Sequence, residues 1–108
     1  MMRSAPLVVA AAALAASLSI ASAQDLRGNV ASGRDLSGHW CGNCHQIDGG
    51  PQARPGVSTF AQVARLPSTT ALSLRVFLRS SHADMPNIQM SDADADDLIA
   101  YILTLKQK

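Results

Sequence analysis

Cys41-Gly42-Asn43-Cys44-His45 holds both cysteines of the chain. Three chemistries compete for it. A disulfide or a thioredoxin-like redox pair shares the C-x-x-C spacing. That reading expects a βαβ surround, and no part of the chain alternates with period two. It also gives His45 no task. A zinc site needs four ligands, but His39, Cys41, Cys44 and His45 crowd one turn, and His82 is the sole remote histidine. The third chemistry is attachment of a porphyrin. Two thiols separated by two residues reach the two vinyl groups on one side of the ring while the backbone makes a tight helical turn. The adjacent His45 is carried under the ring, where its imidazole ligates the iron. Gly42 and Asn43 are small and permit the close approach. The stretch reads as haem c attachment, with Cys41 and Cys44 as the two thioether positions and His45 as an iron ligand.

Size supports the same reading. The chain has 108 residues, 47% hydrophobic and 16% charged, with net charge +1. Much of the apolar content lies at the N-terminus. Arg3 is followed by an apolar run from Leu7 to Leu18, interrupted by Ser17, and then by Ala21-Ser22-Ala23. This pattern predicts a signal peptide over residues 1–23, cut after Ala23 to leave Gln24 first. An uncleaved anchor is the rival, but the run falls short of the roughly 20 apolar residues a spanning helix needs. Export, most plausibly to a bacterial periplasm, follows as an expectation. Residues 24–108 then form one domain near the lower size limit for a self-sufficient core. A covalent haem supplies the missing apolar surface, as metal binding does in other small folds.

The composition also excludes several classes. A large enzyme with its own substrate domain does not fit, nor does a disulfide-rich scaffold. All eight acids are Asp, and eight of the nine basic residues remain once Arg3 is removed. A near-neutral polypeptide of this kind is not a nucleic-acid binder. Asp84, Asp92, Asp94, Asp96 and Asp97 lie late, while Arg54, Arg65, Arg75 and Arg79 lie in the middle. The separation makes either a dipole that steers a partner or a set of solvated faces and a helix cap, and the second reading is preferred.

Helical spacing recurs along the mature chain. Gly33 to Trp40 predicts a short helix leading into the cysteines, after a loose polar start that contains Gly28. Asp48-Gly49-Gly50-Pro51 and Pro55-Gly56 are turns. Phe60 to Leu66 is a helix stopped by Pro67. Thr70 to Ser80 is another, with Leu74, Phe77 and Leu78 as its apolar stripe and Thr69 or Thr70 as N-cap. His82 to Gln89 is a loop. Ser91 to Lys106 is the clearest helix, capped by Ser91 with Asp94 three residues on. Its early Asp residues and late Lys106 match the helix dipole. Leu98, Tyr101, Ile102 and Leu105 form its apolar face. The expected class is all-α with long connections.

With these elements in place, the mature chain resembles the class I cytochromes c, in particular the small monohaem bacterial ones. Gly33, eight residues before Cys41, matches a family glycine that lets the first and last helices cross closely. Tyr101 matches the aromatic partner at that crossing, and Met85-Pro86 looks like the sixth-ligand motif. The resemblance implies a few helices and long loops wrapped around one covalent haem, and electron transfer as the function. Two positions depart from the pattern. Ser37 stands where a larger apolar residue is common. The loop proline whose carbonyl orients the proximal His is represented by two candidates, Pro51 and Pro55.

The iron needs a second axial ligand or an open face. Met85 lies in a loop 40 residues after His45, between Asp84 and Pro86 and outside any apolar stripe. Core filling therefore explains it poorly, and it is the favoured ligand. A thioether there favours ferrous iron relative to bis-His ligation. Met90 and His82 are the alternatives, along with an open site, and Met90 has a sufficient packing role just before the last helix. His39 is too close to Cys41 to reach the far face. Trp40 is expected against the haem or the helix crossing, and Phe60, Phe77 and Leu78 along the pocket. Arg54, Arg65 and Arg79 are possible propionate partners. The favoured function is a non-enzymatic periplasmic electron carrier that docks transiently on redox proteins. A permanent relay subunit of a dehydrogenase or oxidase complex and a ligand-binding sensor are the alternatives. No paired acid–base groups suggest catalysis.

Overall fold

A computed structural model describes residues 27–80 and 84–108. The expected signal peptide and His82 lie outside the described residues. Four α-helices appear among the described residues: α1 over Val30–Trp40, α2 over Phe60–Arg65, α3 over Ala71–Leu78 and α4 over Asp92–Thr104, the last followed by a 3-10 turn at Leu105–Gln107. No strand occurs among the described residues, so the all-α expectation holds.

Side-chain caps set the helix starts. Helix α1 begins three residues earlier than Gly33 because Asn29 caps it, its side-chain oxygen accepting the Ser32 N–H at 2.9 Å. The other three helices each open with a reciprocal capping box, Thr59 with Gln62, Thr70 with Ser73 and Ser91 with Asp94. A cap of this kind contributes about 1 kcal/mol. Leu66 leaves the helical region ahead of Pro67 and ends α2. The C-terminal turn departs from expectation. It tightens to 3-10 geometry, and Lys106 reaches away to donate its ammonium to the Thr69 carbonyl at 2.6 Å.

Helix α4 is the centre of the fold. Leu98 through Ile102 are five successive buried residues, where the periodicity had offered one apolar face. The reason is coverage from several sides: α1, α2 and α3 all pack on it. The α1–α4 crossing is close enough to need glycine. A Cβ on Gly33 would sit 1.9 Å from the Asp97 carbonyl oxygen, and one on Gly28 would sit 2.0 Å from that of Asp96. Gly28 thus belongs to the crossing, and the start of the chain there is not loose. The Asn29 N–H donates to the Asp97 carboxylate at 2.6 Å and ties the same corner. Ser37 fits because it is fully buried and its hydroxyl donates to the Gly33 carbonyl at 2.7 Å within the same helix.

Helix α3 is bound to α4 by two ion pairs, Arg75–Asp96 and Arg79–Asp92. The acids of α4 therefore do more than complement the helix dipole. Leu74 faces the core, whereas Phe77 is 48% exposed and Leu72 and Val76 more so. Trp40 is also exposed and does not fill the helix crossing.

Candidate functional site

The end of α1 delivers the motif. The Cys41 N–H still donates to the Ser37 carbonyl at 2.9 Å, which closes the helix. The Cys41 carbonyl then accepts from Cys44 and His45, at 3.1 and 2.9 Å. The chain thus makes one more helix-like turn. At roughly 100° per residue, Cys41, Cys44 and His45 fall within an arc of about 100° on one side of that turn. Three groups adjacent in sequence become three groups facing one way.

No disulfide joins the two cysteines, of which Cys41 is buried and Cys44 half-buried. Burial pushes the Cys41 thiol up to about 11, and the neighbouring Cys44 adds to the shift. A thioredoxin-like pair needs the opposite, a thiol pulled down toward neutral pH. A neutral sulfur suits this buried position, and a thioether is neutral. Among the described residues, no three of His, Cys, Asp or Glu come together as a metal cage.

His45 is held by an acceptor that sequence reasoning did not name. Its Nδ1 lies 2.6 Å from the Ser58 carbonyl oxygen. A carbonyl can only accept, so Nδ1 is the donor, and in the neutral tautomer this leaves the Nε2 lone pair for a metal. Neither Pro51 nor Pro55 supplies this carbonyl. The intervening loop folds back through two backbone bonds, Arg54 N–H to the Cys44 carbonyl at 2.9 Å and Phe60 N–H to the Gln46 carbonyl at 3.1 Å. These bring Ser58 to the imidazole. Phe60 then packs against it, with ring centroids 5.4 Å apart, and Phe60 lies 6.5 Å from Tyr101. The histidine is thus fastened into the helical core. The Tyr101 hydroxyl accepts the Asp48 N–H at 3.3 Å, anchoring the loop after the motif.

Met85 sits on the connection between α3 and α4, half-buried, after Asp84 with φ 65° and before Pro86. Met90 lines a cavity of about 180 Å³ with Leu78, Arg79 and the segment 87–89, at the foot of α4. His39 is exposed on α1. Of the arginines considered for propionates, Arg79 pairs with Asp92 and Arg65 donates to the Lys108 main-chain oxygen at 2.6 Å. Arg54 is exposed beside the motif.

The donor set fits a covalent haem. Two thiols and an imidazole share one side of a turn, with Nδ1 of the imidazole at the Ser58 carbonyl and Nε2 left to face a metal. No helix among the described residues is long and apolar enough to cross a membrane.

Comparison with known proteins agrees with this geometry. Residues 30–106 match the family model for cytochrome c. A relative named cytochrome c-552, from Bradyrhizobium diazoefficiens, is 36% identical over 86 residues, spanning 79% of this chain and 83% of the relative. No solved structure gives a significant match.

Proposed function

This chain belongs to the cytochrome c family, and on that premise we propose that it is an exported one-electron carrier with His45 and Met85 as axial ligands. Family membership makes it an electron-transfer protein with a covalently attached haem c and redox-protein partners. The bound haem supplies one iron that alternates between ferrous and ferric states. The chain supplies the rest. Cys41 and Cys44 provide the two thioether sulfurs. His45 offers Nε2, and the observation that carries this role is its Nδ1–H bond to the Ser58 carbonyl. That bond fixes tautomer and ring orientation together. Phe60 backs the imidazole and Tyr101 packs on Phe60, so the ring would be held in place while it ligates the iron. Met85 would offer a neutral thioether as the second ligand, and Met90 lines the cavity at the foot of α4.

Export rests on the reading of residues 1–23. N-terminal sequencing of the periplasmic fraction is expected to begin at Gln24. Ligation is tested by absorption spectra of the oxidised and reduced holoprotein, with and without carbon monoxide, for the parent and Met85→Ala. The parent should show the weak far-red sulfur-to-iron band and no carbon monoxide binding, and Met85→Ala should lose the band. Survival of the band would move the ligand to Met90. Carbon monoxide binding by the parent would replace the carrier with a ligand-binding protein.

A further inference from the structure

We infer that Asp84 is a positioning residue for the axial methionine, acting through its left-handed backbone and not through its charge. The inference rests on Met85 being the ligand. Asp84 is the one non-glycine residue among those described with positive φ, at 65°. Side chains with a Cβ are disfavoured there, and Asp and Asn are the best tolerated after glycine. Met85 follows and precedes a proline, which steers it away from the helical region toward extended backbone. Pro86 in turn has its own φ fixed by its ring. Asp84 is thus left-handed, and Met85 and Pro86 are each restricted by the proline ring, with the thioether in the middle. The direction in which the chain presents Met85 is set by local sterics.

Charge is a poor account of Asp84. Its side chain is exposed, and among the described residues it enters no ion pair. Asp is also a compromise between two demands. Glycine would accept the conformation freely but would loosen the unfolded loop, while a branched side chain would resist the conformation outright. If the left-handed turn is opposed, the loop relaxes and the thioether is withdrawn from its bound position. The bond to iron then competes less well with an external ligand.

The test is imidazole titration of the ferric holoprotein, read as loss of the far-red band, for the parent and for Asp84→Gly, Asp84→Asn, Asp84→Ala and Asp84→Val. Asp84→Val should raise the apparent imidazole affinity about 5- to 30-fold, with Asp84→Ala shifted in the same direction. Asp84→Gly and Asp84→Asn should stay within about twofold of the parent. If Asp84→Val gives no folded holoprotein, Asp84→Ala carries the test alone, with an expected rise of about fivefold. Parent-like behaviour of the Val and Ala variants overturns the inference. So does an Asn variant as weak as Val, because the carboxylate would then be the active feature. A far-red band that persists in Met85→Ala overturns the ligation itself, and that failure is seen in a different variant.

Discussion

Replacing Gly33 by alanine probes the contact on which the helix crossing depends. The new methyl carbon would lie 1.9 Å from the Asp97 carbonyl oxygen, 2.5 Å from the carbonyl carbon and 2.9 Å from the Tyr101 Cβ. To reach ordinary contact near 3.4 Å, the helices must part by about 1.5 Å. The obstructing atoms are mostly backbone, so no rotamer change relieves them. Overpacking of this kind costs about 3 kcal/mol at the upper end of the usual range. The better helix propensity of alanine returns about 1 kcal/mol. The net loss is about 2 kcal/mol, or a fall in Tm of roughly 8 to 16 °C for a domain of this size. Thermal and denaturant unfolding of the holoprotein measure it. Gly38→Ala is the control in the same helix, since nothing lies within 4 Å of its Cβ. It should gain about 0.5 to 1 kcal/mol from propensity. A Gly33→Ala protein as stable as the parent, beside a stabilised Gly38→Ala, would refute the close crossing.

Two further outcomes concern the caps and the acid limb. Thr59→Ala and Ser91→Ala each remove a capping box, and each should lower unfolding free energy by about 1 kcal/mol in denaturant titrations. Asp48 is held below the ordinary carboxylate value of 3.8 by its hydrogen bond and charge interaction with Lys108. A depressed folded-state value means this stabilisation is present above 3.8 and is lost as the pH falls through the lower, folded value. Lys108→Met should therefore flatten the loss of stability below pH 3.8. The difference should be small and shrink with added salt, because the pair is exposed.

Features carried by side-chain type at short spacing were legible in the sequence. The C-x-x-C-H stretch, the capping residues Thr70 and Ser91, and the stop at Pro67 all express local rules. Features that depend on distant backbone were not. Asn29 reads as a loop residue until Asp97, 68 positions away, is known to receive its N–H. Gly28 has no local signature for a close approach to α4. Asp92 and Asp96 satisfy the dipole rule, so nothing local shows their pairing with Arg79 and Arg75 on α3. The acceptor for His45 is a carbonyl of neither Pro51 nor Pro55, because the loop's own backbone bonds turn Ser58 toward the ring.

That last contact has a consequence for how substitutions read out. The Ser58 contribution is made by a peptide oxygen, which every amino acid carries. Replacing the side chain leaves the acceptor in place, so an alanine scan would pass over position 58 without a change in the proximal histidine. Sensitivity should appear instead where a side chain holds the loop and the imidazole together, such as Phe60, whose ring packs on His45. The element that sets the proton on His45 is thus insulated from single side-chain changes at its own position and exposed to those that redirect the chain around it.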